Sequence, residues 1–497
     1  MSSAALGSCS RGMPAGWLAH APTLLLLLLC CLRVLAFLVR RGRARTALRR
    51  CGLPERAWRP SLAWRPYAAS RRNLLDRVRA RCAQAPRGAY GVLLGSACVV
   101  HVGSPVLARA ALALASHHKA PFYDAFKGFV GAGVFTADGE GWRAKRAAVM
   151  KAFAAAGTQP LEAAAREEAA TLSEELLREL RGAEGSVSCD LLPQLQALSL
   201  RSTFRFLTSA RLADARLEKA YVAAATTLRA VLPARARSLW AWLLPGPLYA
   251  LLTPLGRAER TACKAAHLLA AHAVHRASSS SPLGEILEDM GCKRTSSDAL
   301  HCAATLLFAG HDTQAATLAW CMLHLAEQED VQERLGRCCE HAHAPPLLDA
   351  VLRETLRLHP PAPLVVRALH GAGGQCSLPD ECGVAVWLHA VQRDASAWGA
   401  DADSFTPDRW LTTDGGNGDT LRTLSDAQSA AYMPFACGPR LCPGAALATA
   451  ALKVTLRHLV GCVRWVPGGG VPVDWHPSVG FTVTPAAGVP LRITRRA

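Results

Sequence analysis

The strongest constraint on what this chain can become is a ten-residue run near its C-terminus, Phe435-Ala436-Cys437-Gly438-Pro439-Arg440-Leu441-Cys442-Pro443-Gly444. It has the form F-x-x-G-x-R-x-C-x-G. Gly438 and Gly444 permit tight turns and a close backbone approach that a Cβ would block. Arg440 and Phe435 bring a permanent cation and an aromatic face into the same short loop as Cys442. Directly afterwards comes Ala445-Ala446-Leu447-Ala448-Thr449-Ala450-Ala451-Leu452, a strong helix former whose first turn would aim its positive end at the Cys442 sulfur. Taken alone, a buried structural cysteine ahead of a helix is commonplace. The rest of the chain decides the matter.

Ala309-Gly310-His311-Asp312-Thr313 interrupts a long apolar helix pattern running from about 298 to 326. A glycine inside a helix is unfavourable by ~1 kcal/mol relative to Ala, so it needs a reason, and a packing notch is the ordinary one. Glu354-Thr355-Leu356-Arg357 pairs opposite charges at i, i+3 on one helix face, is followed by Leu358-His359-Pro360-Pro361, and puts Arg357 85 residues before Cys442. Phe405-Thr406-Pro407-Asp408-Arg409-Trp410 comes between them, Trp142-Arg143-Ala144-Lys145-Arg146 lies upstream, and Arg367 follows the Pro360-Pro361-x-Pro363 run. In this order, the set resembles the cytochrome P450 family over essentially all of residues 67–497.

The resemblance implies that Cys442 is the axial ligand to the iron of a non-covalently held haem b, its thiolate pushing electron density toward a trans-bound oxygen. Phe435 would cover the sulfur face of the macrocycle, while Trp142, Arg146, Arg367 and Arg440 would reach the haem propionates. Gly310 would leave room for O2, Thr313 would hold a hydroxyl beside the distal oxygen, and Asp312 would help to supply protons. Glu354, Arg357 and Arg409 would form a buried ion network, structural and not catalytic. Some lipid-oxidising members attach haem through a glutamate just before the Gly-x-Asp-Thr segment; that position is Ala309 here, so no ester link is expected. The resemblance gives His311 and Cys437 no ligand role.

The implied activity is insertion of one atom of O2 into a lipophilic substrate. Electrons would come from NADPH through the NADPH–cytochrome P450 reductase, with cytochrome b5 as a further donor. Residues 131–142 and 252–257 are similar to the branch that oxidises fatty acids and related lipids; a sterol is the other substrate class considered. Substrate contacts are expected in 94–125, 201–250 and 364–370. Two rival readings stand beside this one: an isomerase or dehydratase acting without external electrons, which often lacks the acid–Thr pair, and a non-enzymatic haem-binding membrane protein.

Charge distribution bears on the partners. The net charge is +18, but residues 1–81 hold 16 Arg against Glu55 and Asp76, so only +4 remains for the other 416 residues. A nucleic-acid-binding catalytic domain is therefore not supported. The 18 cysteines show no recurring C-x-x-C spacing and read as reduced, small apolar residues. After a short segment 1–22, residues 23–39 include Leu-Leu-Leu-Leu-Leu-Leu and are predicted to be a transmembrane anchor, since with Trp17–Thr23 they reach the ~20 residues a spanning helix needs. Arg40, Arg41, Arg43, Arg45, Arg49 and Arg50 follow, which puts the C-terminal domain on the cytoplasmic side of the endoplasmic reticulum membrane as a single-pass protein. The first 54 residues lack Asp and Glu, so an organelle transit peptide is the alternative. Residues 40–66, with Pro54, Pro60 and Pro66, are expected to be a basic, semi-rigid linker to a domain over 67–497.

The expected fold is mainly α with small β-sheets. Residues 161–182, 259–277, 298–340 and 347–358 have helical apolar spacing, whereas 90–102, 384–389 and 479–494 are β-like. Ser278–Ser281 is expected to be a flexible connection, and 415–418 an exposed loop. The segment 232–255 carries Trp240, Trp242, Leu243, Leu244 and Leu248 between arginines and is expected to dip into the membrane surface.

Overall fold

The computed structural model describes residues 38–56, 74–94, 97–114, 119–182, 185–238, 246–339, 345–368, 382–414, 418–468 and 476–496, with a few single residues between these stretches. Helices dominate. In chain order they include α1 (Gly139–Ala156), α2 (Gln159–Gly182), α3 (Leu192–Thr208), α4 (Ala215–Arg237), α5 (Gly246–Leu252), α6 (Pro254–Arg276), α7 (Ser297–Glu327), α8 (Glu329–Cys339), α9 (Pro346–Leu358) and α10 (Ala445–Cys462). The main sheet is built from β1 (Glu55–Arg56), β2 (Ala89–Leu94), β3 (Ala97–Val102), β4 (Leu364–Ala368) and β5 (Gly383–Trp387), in the order β1-β2-β3-β5-β4. Strands 186–190, 463–467 and 490–495 form a second small sheet.

Helix α7 organises the interior. Its 31 residues follow Ser296, whose side chain accepts from the Ala299 amide as an N-cap. The apolar side chains within 299–308 join one hydrophobic cluster, with Phe204, Leu228 and Leu269, and most of those within 315–326 join another, with Leu172, Leu352 and Leu456. Gly310 to Gln314 lie at the junction between the two. Helix α3 packs on α7, α10 on α2, and α4 on α6, so α7 is held on several sides and can present a fixed face to a site.

Several expectations need correcting. The 298–340 pattern is two helices, not one, because Gln328 leaves helical geometry and its side-chain amide donates to the Phe405 carbonyl at 2.9 Å. Ser281 is fully buried and caps the helix Pro282–Asp289, accepting from the Gly284 amide, so the serine run ends in a defined cap. The packed body also begins before Tyr67. Residues 38–50 are helical, Ala44, Leu48 and Leu53 are buried against Leu93, Val100 and Val384, and β1 pairs with β2 in parallel, so 44–56 is not a free linker. Of the anchor at 23–39, most lies outside the described residues; Leu32, Leu35, Leu38 and Val39 are exposed. Among the described helices only α10 is long and apolar enough to cross a membrane, and it is packed on α2 with Leu452, Leu456 and Leu459 buried. In 232–255, Trp242 and Leu243 fall outside the described residues, and Trp240 packs on Val231, Ala234, Tyr249 and Leu255. Leu248, Leu251 and Leu252 of α5 are exposed instead.

The Glu354–Arg357 pair is as the sequence pattern implied. Both side chains are fully buried, joined at 2.7 and 2.8 Å, and Arg409 reaches the same carboxylate at 2.9 Å.

Candidate active site

The cysteine loop folds back on itself through its own amides. Leu441 N–H donates to the Gly438 carbonyl at 3.0 Å, and Cys442 N–H to the Phe435 carbonyl at 3.1 Å, which brings Phe435 beside Cys442. Gly438 has φ +77°, and a Cβ there would lie 2.1 Å from the Leu112 carbonyl oxygen, so both conformation and space require glycine. Ala436 also sits at positive φ, at +61°. Gly444 differs from expectation. Its φ is −96°, and a Cβ would meet no protein atom within 4 Å, so its smallness serves the cavity and not the chain's own packing.

Cys442 lies deep in the protein but its side chain is accessible, because it faces a cavity of about 300 Å³. Burial pushes its thiol pKa up, opposed by the Gly444 amide, which donates to the sulfur, and by the Arg146 charge. The start of α10 directly behind adds the positive end of a helix.

One wall of the cavity is cationic. Arg440, with its side chain 5% exposed, donates to the Ala137 carbonyl at 2.9 Å and to Asp138 at 3.0 Å and lies 4.2 Å from the Trp142 ring centre. Burial brings its pKa down to about 10, with Arg367 adding to the effect and Asp138 opposing it. Arg367 is buried on β4 and donates to the Val366 carbonyl at 2.9 Å. Arg146 is half-buried, its pKa lowered by burial and supported by Cys442. Lys119 joins them, with Nζ 3.6 Å from the Tyr123 ring centre and 4.3 Å from Phe135. Burial, then Arg367 and Arg440, push the Lys119 pKa well below the ordinary lysine value, against Asp138. Arg440 pairs with Asp138, whose charge also supports Lys119, while Arg146 and Arg367 add positive charge to the same wall. This surplus wants anions.

Across the cavity, α7 offers Ala309, Gly310 and Thr313. The Thr313 hydroxyl donates to the Ala309 carbonyl at 2.8 Å. Gly310 lines the cavity and also has a packing reason: its Cβ would lie 2.5 Å from Cγ2 of Thr203, so the close approach of α3 by itself demands glycine. Asp312 does not line the cavity. It is 1% exposed, accepts from the Thr482 hydroxyl, and lies 3.6 Å from Arg229 on α4. Asp312 and Thr313 therefore occupy different faces of α7. The remaining walls are apolar and aromatic, with Val134, Phe135, Phe308, Leu364, Val365 and Phe481, the last stacking edge-on to Phe126 and Phe135.

The structure brings Trp142, Arg146, Gly310, Thr313, Arg367, Phe435, Arg440 and Cys442 to one cavity, and leaves Asp312 behind its wall. Lys119, Phe481 and Thr482 carry no sequence signal for this site, and Arg229, expected to flank the membrane-facing segment 232–255, is instead buried beside Asp312. Only the tertiary contacts mark them.

Haem b suits these residues. The accessible Cys442 thiol aimed into the cavity would bind the iron, the cationic wall would hold the propionates, and Gly444 adds no Cβ to the space beside the sulfur.

A family model described as Cytochrome P450 matches residues 67–488. Among curated relatives, Cytochrome P450 714C3 of Oryza sativa subsp. japonica is 36% identical over 208 residues, 38% of this chain and 38% of its own length. The 3,9-dihydroxypterocarpan 6A-monooxygenase of Glycine max is 33% identical over 193 residues, 36% of this chain and 37% of its own. Germacrene A hydroxylase of Helianthus annuus is 31% identical over 239 residues, covering 42% and 47%. The alignments span less than half the length of these relatives. The solved structure of CYP175A1 from Thermus thermophilus aligns with a TM-score of 0.63 at 25% identity, over 90% of this chain and 100% of that one.

Proposed function

This chain belongs to the cytochrome P450 family, and from that premise we propose that it is a haem-thiolate monooxygenase that hydroxylates a lipophilic substrate. The observation that carries the reading is one accessible thiol, Cys442, opposite Ala309, Gly310 and Thr313 in a cavity with a cationic wall and an apolar remainder. Bound haem would supply the chemistry of O2 activation and oxygen insertion. Arg146, Arg367, Arg440 and Lys119 would hold its carboxylates and Trp142 would pack against the Arg440 guanidinium. The Gly444 amide and the start of α10 would steady the sulfur as a thiolate. The Thr313 hydroxyl would position a proton on the oxygen side, and Phe135, Phe308 and Phe481 would exclude water and press an apolar substrate into place.

The substrate favoured is a fatty acid or related lipid, with sterols next. The names of the relatives (germacrene A, pterocarpan and, for a further one from Glycine max, beta-amyrin) add isoprenoids and fused phenolics to the panel worth testing. Electrons would come from NADPH through the NADPH–cytochrome P450 reductase, with cytochrome b5 as a second donor. The experiment is reconstitution with that reductase: NADPH-dependent product formation from such a panel supports the reading, and turnover without any electron donor would replace it with an isomerase or dehydratase. In the same assay, Thr313→Ala should leave haem loading intact while product per NADPH falls roughly tenfold or more. Equal yield in that variant would remove the hydroxyl from the mechanism.

We place the protein in the endoplasmic reticulum membrane, anchored by residues 23–39 with its catalytic domain cytosolic. Leu32, Leu35 and Leu38, exposed at 53%, 58% and 56%, fit a lipid surround. Full-length chain should stay with the membrane through alkaline carbonate washing. A shortened soluble form would instead mark a cleaved transit peptide.

A further inference from the structure

Behind the cavity, between α4 and α7, three polar atoms are buried with no hydrogen-bond partner among the described residues: Tyr221 Oη, His311 Nε2 and Asp312 Oδ1. Each residue is at most 1% exposed. Their rings and charges are close, the Tyr221 and His311 ring centres lying 5.1 Å apart in an edge-on arrangement. The Asp312 charge raises the pKa of both neighbours, secondary in each to burial, which pushes Tyr221 well up and His311 down. Nδ1 lies 3.0 Å from the Leu307 carbonyl and must donate to it, which fixes the tautomer of the neutral ring, the form that burial favours. Nε2 is left with a lone pair.

The chemistry of the three atoms is complementary to one ligand. His311 Nε2 and Asp312 Oδ1 are acceptors, and the Tyr221 hydroxyl can donate. A water molecule gives two protons and takes one, which satisfies all three at once, and buried waters make about three such bonds. A metal ion is disfavoured, because Arg229 already presents its charge 3.6 Å from the same Asp312 oxygen. Phe308 packs against His311, and Thr482 takes the other carboxylate oxygen, which leaves Arg229 as the neighbour of Oδ1.

We propose that Tyr221, His311 and Asp312 form a one-water site that makes Tyr221 and His311 positioning residues for the Asp312 carboxylate. The water competes with Arg229 for Oδ1. With it in place the carboxylate is held loosely enough to turn from Thr482 toward the Thr313 side of the helix; without it the Arg229 ion pair tightens and keeps Asp312 behind the wall. No bond other than hydrogen bonds is made or broken. The functional half of this inference rests on the monooxygenase reading, and the structural half does not.

A crystal structure of the haem-loaded protein tests the site. Density for one water within hydrogen-bond reach of all three atoms, lost in Tyr221→Phe, is the expected result. Absence of that density in the unaltered protein, or direct pairing of the three atoms, overturns the site. The positioning role is read as hydrogen peroxide released per NADPH consumed with the reductase. His311→Leu should raise that ratio about fivefold, the population shift that one hydrogen bond produces, with an unchanged reduced-CO band. His311→Gln, whose amide oxygen can replace the lone pair, should restore it. An unchanged ratio in His311→Leu overturns the role. If the unaltered protein consumes no NADPH with the reductase, the monooxygenase reading fails, and the crystallographic density alone still decides the site.

Discussion

Cys442→Ala is expected to abolish the red-shifted absorption band of the reduced CO complex entirely, while Cys437→Ala leaves it in place. The band reports a thiolate on the iron, and of the two cysteines in the loop only Cys442 faces the cavity. Cys437 is partly buried on the other side, packed with Leu107 and Ala110 against the cluster of Leu112, Val365 and Met433, where burial pushes its thiol pKa up. Cys442 has what Cys437 lacks: an amide donor from Gly444, the Arg146 charge, and the start of α10. The loop should keep its shape in the variant, since the Cys442 N–H to Phe435 bond and the Gly438 turn are made by backbone. A retained band in Cys442→Ala would overturn the ligand assignment, and Cys437 would then have to be reached by rearranging the loop.

The sequence was most legible where a local rule suffices. The cysteine loop could be read because glycine at positive φ, a helix former and an arginine must be neighbours in sequence to be neighbours in space. The same holds for the i, i+3 pair of Glu354 and Arg357. Legibility failed where the deciding partner is distant. Gly310 reads locally as space for a ligand, and that Thr203, 107 positions earlier, also requires glycine there is visible only in the fold. Asp312 and Thr313 are adjacent in the chain, yet successive helical residues point about 100° apart, so one faces the cavity and the other faces Arg229 and Thr482. Lys119 is one lysine in a stretch with no periodic signal, and only the fold sets it between two aromatic rings and two arginines. Leu48 and Leu53 sit among arginines that read as a membrane-facing linker; burial against Leu93 and Val100 is a tertiary fact.

Glu354→Ala is expected to lower folding stability by about 3–5 kcal/mol, the range for breaking a buried ion pair from one side. Its carboxylate accepts from Arg357 Nε and Nη2 at 2.7 and 2.8 Å, and from Arg409 Nε, the Thr406 amide and the Trp410 indole at 2.9 Å each. Removing it strands the fully buried Arg357 guanidinium with only the carbonyls of Gln392, Ala402 and Ser404. Domains are stable by only about 5–15 kcal/mol, so a loss of that size takes a large share. The damage should travel to the cysteine loop by a short route. Gln392, fully buried, donates to the Leu356 and Arg357 carbonyls at 2.8 and 3.1 Å and accepts from the Met433 amide at 2.9 Å, two residues before Phe435. The network therefore fixes where the loop leaves the core, and haem retention should fail along with the fold. Urea unfolding followed by both helical signal and the haem absorption band should show the two midpoints falling together, well below the unaltered protein. Replacing Glu354, Arg357 and Arg409 together by apolar residues should be less damaging than Glu354→Ala alone, because no buried charge is left unpaired and Asp401, which loses Arg409, is exposed. A Glu354→Ala midpoint equal to that of the unaltered protein would mean that the ion network neither stabilises the fold nor positions the loop.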